Sequence, residues 1–162
     1  LFTFLTKLAG EHHLFKQLLQ AEIDVLNIKL LLRLKKQALS QQEILSFSFS
    51  GGSLFPFSRL YSLAAKDFAG IVQALSQTSL RAVVRVYQDA LLQQDLKEFE
   101  KGLDVWHLQK ATLLLHQFPL SVDTLLGYMF AKEIEMRNLR VLVKGKQFGL
   151  TTEFLEEQLI LG

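Results

Sequence analysis

Residues 21–44, AEIDVLNIKLLLRLKKQALSQQEI, decide the fold because they recur as residues 132–155, KEIEMRNLRVLVKGKQFGLTTEFL. The two stretches align without a gap at a constant offset of 111 residues, as between Ile23 and Ile134. Chance similarity between two amphipathic helices would match apolar residues, but not an Asn together with acids and bases in register. Identical residues occupy six of the aligned pairs: Glu22 and Glu133, Ile23 and Ile134, Asn27 and Asn138, Leu31 and Leu142, Lys35 and Lys146, and Leu39 and Leu150. The sequence therefore predicts a tandem duplication.

The period of the duplication predicts how the chain is organised. Residues 1–38 are expected to end one helical repeat unit, residues 39–149 to form a complete unit, and residues 150–162 to form a C-terminal helix. The chain begins at Leu1, without a Met or a basic segment before an apolar stretch, which predicts no signal peptide and a chain that is part of a longer protein.

The chain around the repeat predicts an all-α fold. Two long helices, at about 11–37 and 121–148, are rich in good helix formers and have no interior Pro. Five shorter helices are predicted between them, at about 40–47, 58–65, 67–75, 79–92 and 95–118. The segment FSFSGGSLFPFS (47–58) is expected to be a loop whose Phe side chains dock on the core, since its Gly and Pro residues limit any strand.

Both copies of the repeated helix are expected to end in the same way. Ala38 and Gly149 occupy the position after the helix where a left-handed residue is common, and each is followed by a Leu that can fold back on the last turn. Ser40 with Glu43 forms the pattern of a capping box at the start of the next helix. In the second copy, Thr151 or Thr152 with Glu153 fits that pattern more loosely.

The repeated helix is apolar on two flanks, so it is expected to lie between two neighbours. In the first copy, one flank contains Ile23, Asn27, Leu30, Leu31 and Leu34, and the other contains Val25, Ile28 and Leu32. Asn27 and Asn138 fall within an apolar flank, where an amide without a partner costs on the order of 1–3 kcal/mol. Each Asn is therefore predicted to bind the backbone of a neighbouring segment.

A narrow charged stripe separates the two apolar flanks. Ordinary ion pairing within or between helices would account for it, and so would a surface that meets another protein of a complex, because both copies keep one acid and two bases at the same spacing. The candidate partner-binding residues are Glu22, Lys29 and Arg33 in the first copy and Glu133, Arg137, Arg140 and Lys144 in the second.

Composition excludes several classes of protein. The 162 residues are 49% hydrophobic and 21% charged, which is typical of a globular chain and too apolar for disorder. The net charge of +2 gives no overall field for a polyanionic partner, and the chain has no Cys for a disulfide, a thiolate metal site or a nucleophile. The longest apolar runs are much shorter than the roughly 18–20 residues that span a bilayer.

The sequence contains no pattern typical of catalysis, a cofactor or a metal. His12 and His13 are adjacent and point apart on a helix, and His107 and His116 lack acidic partners at the spacing of metal ligands. A nucleophile elbow and a phosphate-binding loop are both missing. The bases of the repeated helix are mixed with acids and lack interleaved aromatic residues, so nucleic-acid binding is not predicted.

The repeated helix and the segment after it resemble the signature of one protein family. Residues 131–159, AKEIEMRNLRVLVKGKQFGLTTEFLEEQL, resemble the C-terminal signature of the C subunit of V-type and A-type ATPases, the counterpart of the eukaryotic d subunit. Residues 21–40 are similar to the same signature one unit upstream. The resemblance covers most of this chain but about half of the family's usual length, and the loop at 47–58 departs from it. It implies three similar helical units arranged as a pseudo-threefold funnel.

The resemblance also implies a mechanical function. A member of this family is expected to be a non-catalytic central-stalk connector that seats the shaft subunits D and F on the membrane proteolipid ring, at the cytoplasmic face and peripheral to the membrane. Glu22, Asn27, Lys29 and Arg33 match the signature helix, as do Glu133, Asn138, Arg140 and Lys144. A helical-repeat scaffold unrelated to ATPases is the alternative that the duplication alone would also fit.

Overall fold

The computed structural model describes residues 13–117 and 122–161, and within these ranges the chain forms nine helices and no strand. The prediction of an all-α fold is confirmed. The helices are α1 (His13–Lys36), α2 (Gln41–Phe47), α3 (Phe57–Ala65), α4 (Phe68–Ser76), α5 (Arg81–Val86), α6 (Gln88–Leu92), α7 (Leu96–Gln117), α8 (Val122–Gln147) and α9 (Thr152–Gln158).

The described residues belong to two compact units, which divide between His107 and Leu108 within α7. The sequence places the boundaries of the repeat after residues 38 and 149. These boundaries come from the alignment of the two copies, and they stay a prediction.

The two long helices agree with their predicted bounds to within one residue at the described ends. The single helix predicted over 79–92 is wrong, because Tyr87 separates α5 from α6 with φ −110° and ψ 22°. The Tyr87 ring packs so closely on Gly102 of α7 that a Cβ there would lie 2.4 Å from it. The run of Val83, Val84 and Val86 also weakens helix propensity at this point. The predicted helix end at Phe118 and Pro119 lies outside the described residues.

A buried apolar cluster joins α1 to helices α2–α7 in the first unit. Both apolar flanks of α1 are buried, as predicted: Ile23, Ile28 and Leu32 are each 0% exposed. The loop before α3 is only partly as predicted. Phe55 is fully buried in the cluster, but Phe47, Phe49 and Phe57 are 57%, 42% and 50% exposed. Phe47 and Phe57 are therefore not buried in the core, and polar side chains of α1 hold the loop by its backbone.

The ends of α1 and α8 have the same geometry. Ala38 and Gly149 adopt positive φ values of 56° and 69°. The N–H of the following residue donates to the carbonyl five residues back, at 3.1 Å from Leu39 and 2.9 Å from Leu150. These bonds form a Schellman motif in both copies, which confirms the predicted helix ends.

The helices that follow begin with side-chain caps. Ser40 and Glu43 form the predicted capping box, in which each side chain accepts a hydrogen bond from the backbone N–H of the other. At α9, the Thr151 hydroxyl accepts from the Phe154 N–H at 3.3 Å. The second cap has no reciprocal bond because Phe154 stands where the first copy has Glu43.

Candidate interaction surface

Asn27 joins α1 to the loop after α2 through two hydrogen bonds. Its Nδ2 donates to the Phe49 carbonyl at 2.8 Å, and its Oδ1 accepts from the Phe49 N–H at 2.8 Å. The Asn27 side chain is fully buried, so these bonds replace the water it would otherwise bind. The predicted role of this Asn, binding the backbone of a neighbouring segment, is confirmed.

Asn138 makes the same pair of bonds in the second copy. Its Nδ2 donates to the Ile160 carbonyl at 2.8 Å, and its Oδ1 accepts from the Ile160 N–H at 2.9 Å. In both copies the bound residue lies 22 positions after the Asn. The duplication therefore extends beyond the aligned stretch. The sequence does not show this, because each Asn binds the backbone of its partner and the partner side chains need not match.

Asp24 holds the Gly-containing part of the same loop, a role that the sequence did not reveal. Its carboxylate accepts from the N–H groups of three consecutive residues, at 3.0 Å from Ser53, 2.8 Å from Leu54 and 3.0 Å from Phe55. A Cβ on Gly52 would lie 2.2 Å from Asp24 Oδ1, so only Gly allows this approach. Burial raises the pKa of Asp24, and the backbone hydrogen bonds oppose this effect without cancelling it.

The charged stripe of the first copy is paired with α7. Lys29 Nζ lies 2.5 Å from the Asp104 carboxylate, and the two side chains are 14% and 16% exposed. Arg33 makes two bonds to Glu100, from Nε at 2.6 Å and from Nη2 at 2.5 Å. These contacts are interhelical ion pairs, one of the two explanations of the stripe that the sequence allows.

Glu22 completes the contact between α1 and α7. Its carboxylate lies 3.1 Å from Nε2 of His107, whose side chain is 5% exposed. All three predicted stripe residues of the first copy therefore contact α7. Residue numbers rise along α1 while those of the partners on α7 fall, so the two helices are antiparallel. A contact between these residues and another protein of a complex stays a prediction.

The stripe of the second copy lies at the surface. Glu133, Arg137, Arg140 and Lys144 are all exposed. In the part of the chain that the structure describes, Glu133, Arg140 and Lys144 form no ion pair. The stripe of the first copy is thus paired with α7, whereas Glu133, Arg140 and Lys144 of the second copy have no ion pair among the described residues.

The apolar strip beside the stripe differs between the copies in the same way. In the first copy its three residues are almost fully buried: Val25 at 2%, Ile28 at 0% and Leu32 at 0% exposed. In the second copy the aligned residues are about half exposed: Met136 at 51%, Leu139 at 45% and Val143 at 56%. We call the surface formed by Glu133, Met136, Leu139, Arg140, Val143 and Lys144 the α8 face.

Among the described residues, His, Asp and Glu side chains do not come together in a group that could hold a metal. His107 contacts Glu22, while the side chains of His12, His13 and His116 lie outside the described part. In the described ranges, none of the helices combines the length and the apolar character needed to cross a bilayer.

Comparison with known proteins identifies the chain's relatives. It is 32% identical to the C subunit of the A-type ATP synthase of Archaeoglobus fulgidus over 148 residues, which cover 91% of this chain and 42% of that protein. The same subunit of Methanosarcina mazei is 31% identical over 153 residues, covering 93% and 41%. That of Methanococcoides burtonii is 27% identical over 157 residues, covering 94% and 43%. The chain spans about two fifths of the length of these curated relatives. No solved structure gave a significant match.

The family model agrees with these relatives and with the resemblance noted in the repeated helix. It matches residues 1–158, which is nearly the whole of the 162-residue chain. The chain therefore belongs to the ATP synthase (C/AC39) subunit family.

Proposed function

We propose that this protein is a non-catalytic central-stalk connector of a rotary V-type or A-type ATPase. In this role it seats the shaft subunits D and F on the membrane proteolipid ring and couples rotation of the shaft to proton or sodium transport. Membership of the ATP synthase (C/AC39) subunit family carries the proposal. The relatives named as C subunits of A-type ATP synthases support it.

The contacts of α1 suit a part that transmits torque. A connector must resist bending and twisting, and packed interiors with fixed polar contacts deform little. The α1 helix is buried on both flanks, is bonded to the following loop by Asn27 and Asp24, and is tied to α7 by Lys29 and Arg33. The buried core, the loop after α2 and α7 therefore all fix the position of α1.

The proposal places the protein at the cytoplasmic face of the membrane, as a peripheral part of the complex that meets the membrane through the ring. A helical-repeat scaffold unrelated to ATPases is the alternative that the duplication would also fit. Nothing in the described part of the chain favours it beyond the duplication, and family membership favours the ATPase.

Co-purification tests the proposal. The complete protein, tagged and isolated from detergent-solubilised membranes, is expected to bring down the shaft subunits and the proteolipid ring. Membranes without the protein are expected to keep ATP hydrolysis in the catalytic head while they lose ATP-driven ion pumping. Recovery of neither the shaft nor the ring would refute the proposal, and so would ion pumping that persists without the protein.

A further inference from the structure

We propose that the α8 face is covered, in the complete protein, by an amphipathic helix from another repeat unit of the same protein. This helix runs antiparallel to α8 and presents two carboxylates four residues apart, next to an apolar strip. The inference depends on the comparison of the two repeat copies and is independent of the proposed function. It assigns the second charged stripe to a contact within the protein.

The first copy is the template for this contact. Lys29 and Arg33, four residues apart on α1, pair with Asp104 and Glu100, which are four residues apart on α7. The higher-numbered base pairs with the lower-numbered acid, so the two helices run in opposite directions. Glu22 extends the same order to His107.

The α8 face keeps the charged residues of α1 that contact α7, together with the apolar strip beside them. At the offset of 111 residues, Arg140 replaces Lys29 and Lys144 replaces Arg33, so both positive charges stay in register. Glu133 stands in the position of Glu22. The apolar strip is also kept, although its side chains are about half exposed here. A surface with three large apolar side chains and two bases that pair with no acid in the described part of the chain is typical of a docking site.

The sequence of α7 specifies what the covering helix should look like. Phe99 and Leu103 are fully buried in the core cluster, and each is followed directly by one of the two acids, Glu100 and Asp104. The covering helix is therefore expected to carry the pattern apolar, acidic, two other residues, apolar, acidic. Charge complementarity with Arg140 and Lys144 requires the two acids at this spacing.

Two observations favour another unit of the same protein over a different source. In the template, the covering helix belongs to the same chain as the helix it covers, and it lies 67–75 residues further along. The curated relatives are more than twice as long as the matched region, which covers 41–43% of their length. A second copy of this chain is a poor source because its α7 already pairs with its own α1.

A photo-cross-linking amino acid placed at Leu139 of the complete protein tests the inference. The expected product has the mass of a single chain and joins residue 139 to a helix with the predicted acidic pattern. A product with the mass of two chains would overturn the inference in favour of self-association. A product that forms only with a different protein of the complex would overturn it as well, as would the absence of any protein cross-link.

Cysteine labelling gives a second readout that does not depend on the cross-linker. The 162 residues contain no Cys, so a single Cys introduced here reports on one position. Val143→Cys is compared with Val86→Cys, whose parent side chain is 72% exposed on α5. In the complete protein, the thiol of the Val143→Cys variant is expected to react at least about tenfold more slowly with a maleimide than that of the Val86→Cys variant, because it is covered. Equal rates would overturn the inference.

Charge reversal shows whether the bases hold the covering helix in place. In the Val143→Cys protein, Arg140→Glu with Lys144→Glu is expected to raise the labelling rate, since the acids of the covering helix would then be repelled. The control is Arg81→Glu with Arg85→Glu, which reverses two bases at the same spacing on α5. An increase in the control alone, or in neither variant, contradicts the inference. Neither labelling nor cross-linking requires the shaft or the ring, so both results remain distinct from the co-purification test.

Discussion

Truncating Asn27 to Ala is expected to lower the free energy of unfolding of the first unit by about 2–3 kcal/mol. The change removes both bonds to Phe49, each 2.8 Å long, and leaves the N–H and the carbonyl of that residue without this partner. A buried group that loses its partner costs about 1–3 kcal/mol. We take about 1–1.5 kcal/mol for each group, because Phe49 is 42% exposed and water can partly replace the amide.

Two measurements check this value. Trp106, the only Trp in the chain, packs against the core cluster of the first unit, so its fluorescence follows the unfolding of that unit in urea. Hydrogen exchange at the Phe49 amide gives the local effect. Its protection is expected to fall about 30- to 150-fold, which is the same free energy expressed as a rate ratio.

Two further variants calibrate the result. Gln41→Ala removes a hydrogen bond from the side-chain amide to the Tyr61 carbonyl, which is also 2.8 Å long but exposed to solvent. This change is expected to lower the free energy of unfolding by less than about 0.5 kcal/mol. Asn138→Ala is expected to increase exchange at the Ile160 amide, which the same pair of bonds protects. If Asn27→Ala costs no more than Gln41→Ala, the argument that burial makes the Asn27 bonds strong is refuted.

Three other predictions concern close packing, ion pairing and pH. A Cβ on Gly145 would lie 2.0 Å from Cδ2 of buried Leu155, so Gly145→Ala alone should destabilise the protein by about 1 kcal/mol. In a Leu155→Ala background it should instead stabilise by up to about 1 kcal/mol through helix propensity, and urea unfolding that shows the same sign in both backgrounds would contradict this. A double-mutant cycle between Lys29 and Asp104 should give a coupling of about 1–2 kcal/mol, because both side chains are mostly buried; a value near zero would place the pair with exposed ion pairs. Because the native pKa of Asp24 is raised above 3.8, its contribution to stability is greatest below that pH and falls as pH rises through the native pKa. The stability of the wild type relative to Asp24→Asn should therefore fall as the pH rises above 3.8, and a flat or rising difference in urea midpoints would contradict the assignment.

The features that could be predicted from the sequence are those set by nearby residues. The left-handed ends at Ala38 and Gly149 depend on residues within one helical turn, and they were predicted correctly. The need of Asn27 and Asn138 for a backbone partner follows from their position in an apolar flank. The residues they bind could not be predicted, because a backbone N–H and carbonyl are the same at every position.

The contacts that the sequence did not reveal join distant residues. Lys29 and Asp104 are 75 positions apart, and α7 carries several acids that could have paired with the stripe. The loop contact of Asp24 depends on the missing side chain of Gly52, which the sequence showed only as a turn residue. The close packing of Tyr87, at the break between α5 and α6, likewise depends on the missing side chain of Gly102 in another helix. In each case local propensity is overridden by packing between elements that the sequence does not place together.

The exposure of a residue in the repeated helix is decided by the elements around that helix, because the helix keeps the same apolar pattern in both copies. Ile28 and Leu139 are aligned, and both are large and apolar, yet one is fully buried and the other 45% exposed. Burying an apolar side chain of this size contributes about 1.5–3 kcal/mol. Full burial of the three strip residues of α8 would therefore add several kcal/mol of stabilisation. The aligned residues of α1 are already buried and already contribute it. Arg140 and Lys144 set the position at which a covering helix can supply it, since two acids four residues apart on that helix match both bases.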